Sequence, residues 1–277
     1  MFSLKLRPPE LFSPVFVACC AALMSLESNR ITGTSYSYAA AATAFSGALL
    51  AYSVAQFRFT SLPISGKPFQ ITGSGWHFFN AALSLTALLW LSSFMTPSQG
   101  IWLSLTALIS FIYMFPVNTR FISIKPLRFI LPLKNILVAA AWTLATVVIP
   151  LDIAITEIPD SAPLTLVMMR RFLFIFCLAV LYDLPDTESD RIIKVGSIPA
   201  RFGAKTALVV SLVLLVGFQL LTMLDSNISP TTIAALTIST LYVVFLMQKA
   251  VTSAPRNSYR FMVDSAMMLQ AVVVLAA

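Results

Sequence analysis

Charge is what this sequence has least of. Only 10% of its 277 residues are Asp, Glu, Lys or Arg, whereas soluble domains carry roughly 25%. With 58% of residues hydrophobic and a mean hydropathy of +0.87, too few ionic groups remain to cover a water-facing surface, which excludes a water-soluble fold. Cysteine is also scarce. Cys19, Cys20 and Cys177 all lie inside apolar runs, and two adjacent cysteines cannot form an ordinary unstrained disulfide with each other. The three read as reduced packing residues with no redox or metal role. The single histidine, His77, follows Gly73-Ser74-Gly75-Trp76 at the start of an apolar run and reads as an interfacial side chain rather than a base. No long polar linker interrupts the apolar runs, so residues 1–277 are expected to form one membrane domain.

What the sequence does have is apolar runs near the length of a bilayer crossing, about 20 residues. Helices are expected near Phe12–Leu26, Tyr36–Phe57, Trp76–Phe94, Ile101–Phe115, Pro132–Leu151, Pro163–Tyr182, Thr206–Leu224, Thr231–Gln248 and Phe261–Ala277. The first, fourth and last are short. The fold class is therefore all-α, a polytopic membrane bundle of about nine transmembrane helices. Lys5 and Arg7 ahead of the first run resemble a signal peptide, but Glu10 and the lack of any soluble sequence to follow argue for a first membrane helix.

The formal net charge of +7 does not point to nucleic acid, because the basic residues sit in short segments between apolar runs. That distribution suits anionic lipid headgroups and the positive-inside rule. Alternate loops hold Lys5 and Arg7; Arg58 and Lys67; Arg120, Lys125, Arg128 and Lys134; Arg191, Lys194, Arg201 and Lys205; and Lys249, Arg256 and Arg260, together 15 of the 18 basic residues. The other side has Arg30 alone, with Glu27, Asp152, Glu157, Asp160 and Asp225. A multi-pass protein of the cell membrane is expected, its N-terminus cytoplasmic and its C-terminus external. Arg170 and Arg171 fall within the sixth span, at a cost of about 2.5–3.5 kcal/mol each on insertion scales, and are expected to snorkel outward.

One loop is rich in both signs of charge: Tyr182-Asp183-Leu184-Pro185-Asp186-Thr187-Glu188-Ser189-Asp190-Arg191, at the end of the sixth span. Asp183, Asp186 and Asp190 are three and then four residues apart, so on a continuing helix they share a face. Crowded carboxylates repel unless a cation lies among them, and oxygen-only ligands suit Mg²⁺, which is held by one or two carboxylates with substrate phosphates and water. On spacing alone, the same residues also describe a solvated acidic turn that neutralises Arg191 and Lys194, with Pro185 breaking the helix.

The stretch Asp183-Leu-Pro-Asp186-Thr-Glu-Ser-Asp190-Arg191, followed by Ile198-Pro199-Ala200-Arg201-Phe202-Gly203, resembles the second aspartate motif of the UbiA superfamily of intramembrane prenyltransferases. In that family the motif begins at the end of the sixth of nine helices. The resemblance implies a UbiA-like bundle that binds an isoprenoid diphosphate through Mg²⁺ and transfers the prenyl group to a lipophilic acceptor. It further implies that Asp183, Asp186 and Asp190 are the metal-binding and catalytic carboxylates. The chemistry is coherent: the metal neutralises the departing diphosphate while a hydrophobic chamber shelters the allylic cation from water.

The sequence departs from the family in two places. Gly196 and Ser197 stand where a Lys-Thr pair is usual, with Lys194 two residues early. The family's first motif, Asn-x-x-x-Asp-x-x-x-Asp at the end of the second helix, is missing, for no acidic residue lies between Glu27 and Asp152. Laying the second span's end over the sixth sets Ser53 against Asp183, Gln56 against Asp186 and Thr60 against Asp190. Arg58 sits beside that face, and an arginine can hold phosphate bidentately without metal. The candidate diphosphate-binding residues are therefore Ser53, Gln56, Arg58, Arg128, Lys134, Arg191 and Lys194.

Two further readings stay open. One is a UbiA-like member that binds an isoprenoid or other lipid without turning it over. The other is an unrelated transporter, which would be expected to bury ionisable residues at mid-membrane. Membrane lipid is the expected surrounding, and no obligate protein partner can be inferred.

Overall fold

Helix boundaries follow local chemistry. The computed structural model describes residues 8–59, 71–72, 74–114, 117–118, 123–124, 133–153, 162–193, 196–251 and 256–277. Helix α1 (Pro8–Thr32) stops at Gly33, whose φ of +68° supplies the left-handed turn that lets Thr34 N donate to Asn29 O. Ser37 caps α2 (Tyr38–Ala55) by accepting from Ala40 N, and Ser74 caps α3 (Gly75–Leu91) by accepting from His77 N. Then come α4 (Pro97–Met114) and α5 (Leu133–Thr143), the latter running on into a π-helical stretch at Leu144–Val148. Helix α6 (Ala162–Asp183) passes through a 3-10 turn at Leu184–Asp186 into α7 (Thr187–Ile193). The chain continues as α8 (Ile198–Phe202), α9 (Ala204–Leu224), α10 (Pro230–Val251) and α11 (Arg256–Ala276). Two antiparallel pairs of two residues each, Arg58–Phe59 with Ile71–Thr72 and Val117–Asn118 with Ser123–Ile124, are the described strands.

Seven of the described helical segments are long and apolar enough to cross a membrane. The fourth and fifth expected spans, α4 and α5, lie outside those seven. The outer faces are apolar: Leu89 and Trp90 on α3, Val213 and Leu224 on α9 and Leu241 on α10 are exposed. An apolar exterior this extensive belongs against lipid rather than water.

Small side chains decide the closest approach. Ala18 and Ala21 of α1 and Ala40, Ala41 and Ala44 of α2 are buried, and α1 packs against α2 on one side and α11 on the other, as small residues permit between membrane helices. Helix α6 packs between α5 and α9 and also meets α11. Phe174, Cys177 and Leu181 of α6 share a core with Met24 of α1, Phe218 of α9, Leu236 of α10 and Tyr259 of α11. All three cysteines are free thiols.

The π-helical stretch shows how irregular backbone survives at this depth. Carbonyls in it and just past its end find partners in neighbouring helices: Ser28 Oγ donates to Thr146 O at 2.6 Å, and Gln99 Nε2 donates to Ile149 O at 3.1 Å. Just beyond it, Trp102 Nε1 and Ser98 Oγ each donate to Ile153 O at 2.7 Å, tying the start of α4 to the turn that follows the π-helical stretch.

Arg170 and Arg171 do not snorkel outward. Both are buried within the bundle, each against an acid from another helix end. Arg170 Nη1 lies 2.8 Å from Asp225 Oδ2 at the end of α9, and Arg171 Nη1 lies 3.0 Å from Glu27 Oε2 in α1. Arg171 Nη2 also donates to Met24 O and Ser28 Oγ, while Gln270 Nε2 of α11 donates to the other oxygen of Glu27 at 2.9 Å. An internal carboxylate answers the desolvation of each guanidinium, so neither side chain needs to reach solvent.

Candidate functional site

The motif keeps its helical spacing because the break at Pro185 is a tight one. Asp183 closes α6, Pro185 sits in the first turn of the 3-10 segment where its missing N–H costs nothing, and Asp190 falls in α7. Thr187 Oγ1 donates to Leu184 O at 2.7 Å, steadying the passage from one helix to the next. The three carboxylates are consequently carried on a nearly continuous helical path, and basic side chains from two different helices meet them.

Asp183 and Asp190 turn toward α5. Lys134 Nζ lies 2.6 Å from Asp183 Oδ1 and 3.9 Å from Asp190 Oδ2, so one ammonium serves two carboxylates. The next residue, Asn135, donates to Asp183 Oδ2 at 3.2 Å. Asp183 is thus bonded at both oxygens, and it is only 4% exposed. Asp186 forms an ion pair with Arg260 of α11. The Arg260 guanidinium also lies over the Tyr182 ring, 5.1 Å from its centroid, a cation–π arrangement that holds the side chain across the end of α6.

Without a metal, the three carboxylates are met by two different basic side chains, Lys134 and Arg260. Among the described residues, no group of three or more His, Cys, Asp or Glu side chains lies close enough to hold a metal ion. Asp186, at the end of the 3-10 turn, is met by Arg260 of α11, while Asp183 and Asp190 are met by Lys134 of α5. Asp183 and Asp190 are the two carboxylates whose donor chemistry suits one Mg²⁺. They are two oxygen donors disposed about a single positive charge, the number of carboxylates this ion commonly takes when phosphates and waters complete its shell.

The candidate diphosphate ligands fare unevenly. Lys134 is brought directly to the carboxylates. Ser53 is fully buried and its hydroxyl has no hydrogen-bond partner among the described residues. Gln56, by contrast, is exposed, because α2 ends at Ala55 and Gln56 is its C-cap. The polar face expected to survive on the second helix is therefore split at the helix end. Arg191 is also placed elsewhere: exposed, it pairs with Glu188 at 3.1 Å and donates from Nε to Ala200 O at 3.3 Å. It joins α7 to α8 rather than facing Asp183. Arg58 is described only through its backbone pairing with Thr72, and Thr60, Arg128 and Lys194 lie outside the described residues.

Two members of the cluster carried no chemical expectation. Asn135 is a polar residue at the start of an apolar run, and Arg260 counted only as one more basic loop residue. The available signal for Arg260 was Asp264, four residues further on, which places a basic and an acidic side chain on one face at the start of the last helix. Asp264 is buried at 9% exposure, and its backbone oxygen accepts from Cys20 Sγ of α1 at 3.8 Å.

An all-helical bundle with apolar outer faces and a buried cluster of acids and bases at the end of one helix defines an intramembrane protein with a polar end site. The sequence model of the UbiA prenyltransferase family matches residues 70–270. The chain belongs to that family and is a multi-pass membrane protein. Solved structures agree on the fold. The apo structure of a UbiA homologue from Aeropyrum pernix K1 is 14% identical with a TM-score of 0.64, covering 96% of this chain and 98% of that one. A UbiA homologue from Archaeoglobus fulgidus bound to GPP and Mg²⁺ is 13% identical with a TM-score of 0.55, covering 97% and 99%. A structure of digeranylgeranylglyceryl phosphate synthase is 15% identical with a TM-score of 0.55, covering 96% and 95%. No curated protein matches the chain by sequence.

Proposed function

We propose that this chain is a membrane prenyltransferase that takes a prenyl group from an isoprenoid diphosphate and passes it to a lipophilic acceptor. The observation that carries this reading is the buried arrangement of Asp183, Asp190 and Lys134 at the end of α6, within a bundle of this family. In the reaction the bond between the prenyl C1 and the diphosphate oxygen breaks, its electron pair leaves with the diphosphate, and the acceptor bonds to C1 and loses a proton. A Mg²⁺ held by Asp183 and Asp190 would supply positive charge against the leaving diphosphate. Lys134 adds a second positive charge beside it, and Asn135 fixes Asp183 in orientation. The apolar core shared by α1, α6, α9, α10 and α11 keeps water from the allylic group. Arg58, Arg128 and Lys194 belong to the proposal as further basic groups toward the diphosphate, with Ser53 at the buried end of α2. We place this end of the bundle on the cytoplasmic side, in keeping with the basic loops.

A second reading has its own support. Asp183 and Asp190 share Lys134, Asp186 is paired with Arg260, and no acid lies between Glu27 and Asp152, which suits a member that holds an isoprenoid diphosphate without turning it over. One experiment separates the two. Purified protein is incubated with Mg²⁺, labelled geranyl or longer prenyl diphosphates, and lipid extract as the source of acceptor. A labelled lipophilic product that disappears in Asp183→Asn supports the transferase. Binding without product supports the second reading, and the absence of any binding refutes both.

A further inference from the structure

The end of α6 has a surplus of negative charge and two cations to meet it. Asp183, Asp186 and Asp190 are all engaged, and Lys134 of α5 and Arg260 of α11 reach them from two different helices. A diphosphate arriving here brings more negative charge into a poorly hydrated place, and α2 has no carboxylate with which to recruit an additional metal ion. The counter-charge has to come from the protein itself.

The two basic side chains are built differently from the structural arginines deeper in α6. Arg171 is 2% exposed at its side chain and donates from both terminal nitrogens. Lys134 and Arg260 are 16% and 25% exposed, so each has an open side. Arg260 Nε is buried and lacks a hydrogen-bond partner among the described residues, while its Nη2 faces Asp186. A guanidinium with one edge committed and a donor to spare can take a phosphate oxygen without first being stripped of all its bonds. Asp190 Oδ2 likewise has no hydrogen bond among the described residues, Lys134 standing 3.9 Å away. Lys134 therefore can leave Asp190 at little cost.

We propose that Lys134 and Arg260 are a protein-borne cation pair that replaces a second metal ion at this site. Without ligand they hold the motif carboxylates; with a diphosphate bound they turn their charge to the phosphate oxygens, leaving at most one Mg²⁺ between Asp183 and Asp190. The proposal rests on the diphosphate-binding reading given above. It makes Arg260 a ligand of the diphosphate and Asp186 its competitor, which fixes the sign of two substitutions.

The test is binding of inorganic pyrophosphate and of geranyl diphosphate to the full-length protein in detergent, once with EDTA and once with Mg²⁺. With EDTA, the parent protein binds both, and Arg260→Gln and Lys134→Met each weaken binding about tenfold or more, the loss of one hydrogen bond to a charged group. Arg260→Lys restores part of the affinity. Asp186→Asn tightens metal-free binding several-fold, because it releases Arg260; a purely structural ion pair would give no tightening. Should Arg260→Gln fail to fold, Arg260→Lys and Asp186→Asn carry the same comparison. Equal metal-free affinity in the parent, Arg260 and Asp186 variants overturns the inference while leaving the proposed function standing. A parent that binds neither probe with or without Mg²⁺ overturns the function as well.

Discussion

The ion pair between Glu27 and Arg171 offers the sharpest test of how the bundle is held. Glu27 is fully buried and Arg171 nearly so, and the two meet at 3.0 Å between α1 and α6 while Gln270 brings in α11. Replacing Glu27 with Gln keeps the side chain's size and its bond to Gln270, but leaves the Arg171 charge without a counter-ion in apolar surroundings. Removing one partner of a buried pair costs about 3–5 kcal/mol. Arg171→Met alone strands the Glu27 carboxylate and should cost a similar amount. Combining Glu27→Gln with Arg171→Met removes both charges, preserves the Gln270 bond, and leaves Ser28 Oγ its bonds to Met24 O and Thr146 O. The double variant should therefore be more stable than either single one, with a coupling of at least about 2 kcal/mol, toward the top of the range for residues in contact. The assay is unfolding by SDS titration in mixed micelles, followed by the fluorescence of the four tryptophans. Additive losses in the double variant would show that the two charges are not energetically coupled.

Two further outcomes follow from the placement of the basic residues. Arg191→Ala should leave diphosphate affinity within about a factor of two, since its partners are Glu188 and Ala200 and an exposed pair contributes little, whereas Lys134→Ala should weaken it strongly; equal losses would return Arg191 to the site. Reporter fusions after Lys67, Arg128, Arg201 and Arg256 should all report the cytoplasm if the basic loops set the topology, and an external signal at any two of them would overturn the orientation.

Much of the site was legible because its signals are local. The spacing of Asp183, Asp186 and Asp190 comes from contiguous sequence, and Pro185 marks the turn between them. The partners of those carboxylates were not legible. Lys134 is 49 residues from Asp183, and Arg260 lies beyond four more helices in sequence order. A basic residue at a helix end satisfies the positive-inside rule wherever it points, so its charge says nothing of the carboxylate it will meet.

The sequence by itself determined the membrane class, the helical fold and the end of α6 at which the acids gather, because hydropathy, helix period and turn chemistry act over a few residues. Only the tertiary structure decided what those acids do. It brought α5 and α11 against α6, divided the three carboxylates between Lys134 and Arg260, and drew Arg170 and Arg171 into the interior against Asp225 and Glu27. Desolvation is the physical reason. A charge removed from water must find its opposite within a few ångströms, and which opposite is within reach depends on which helices are neighbours.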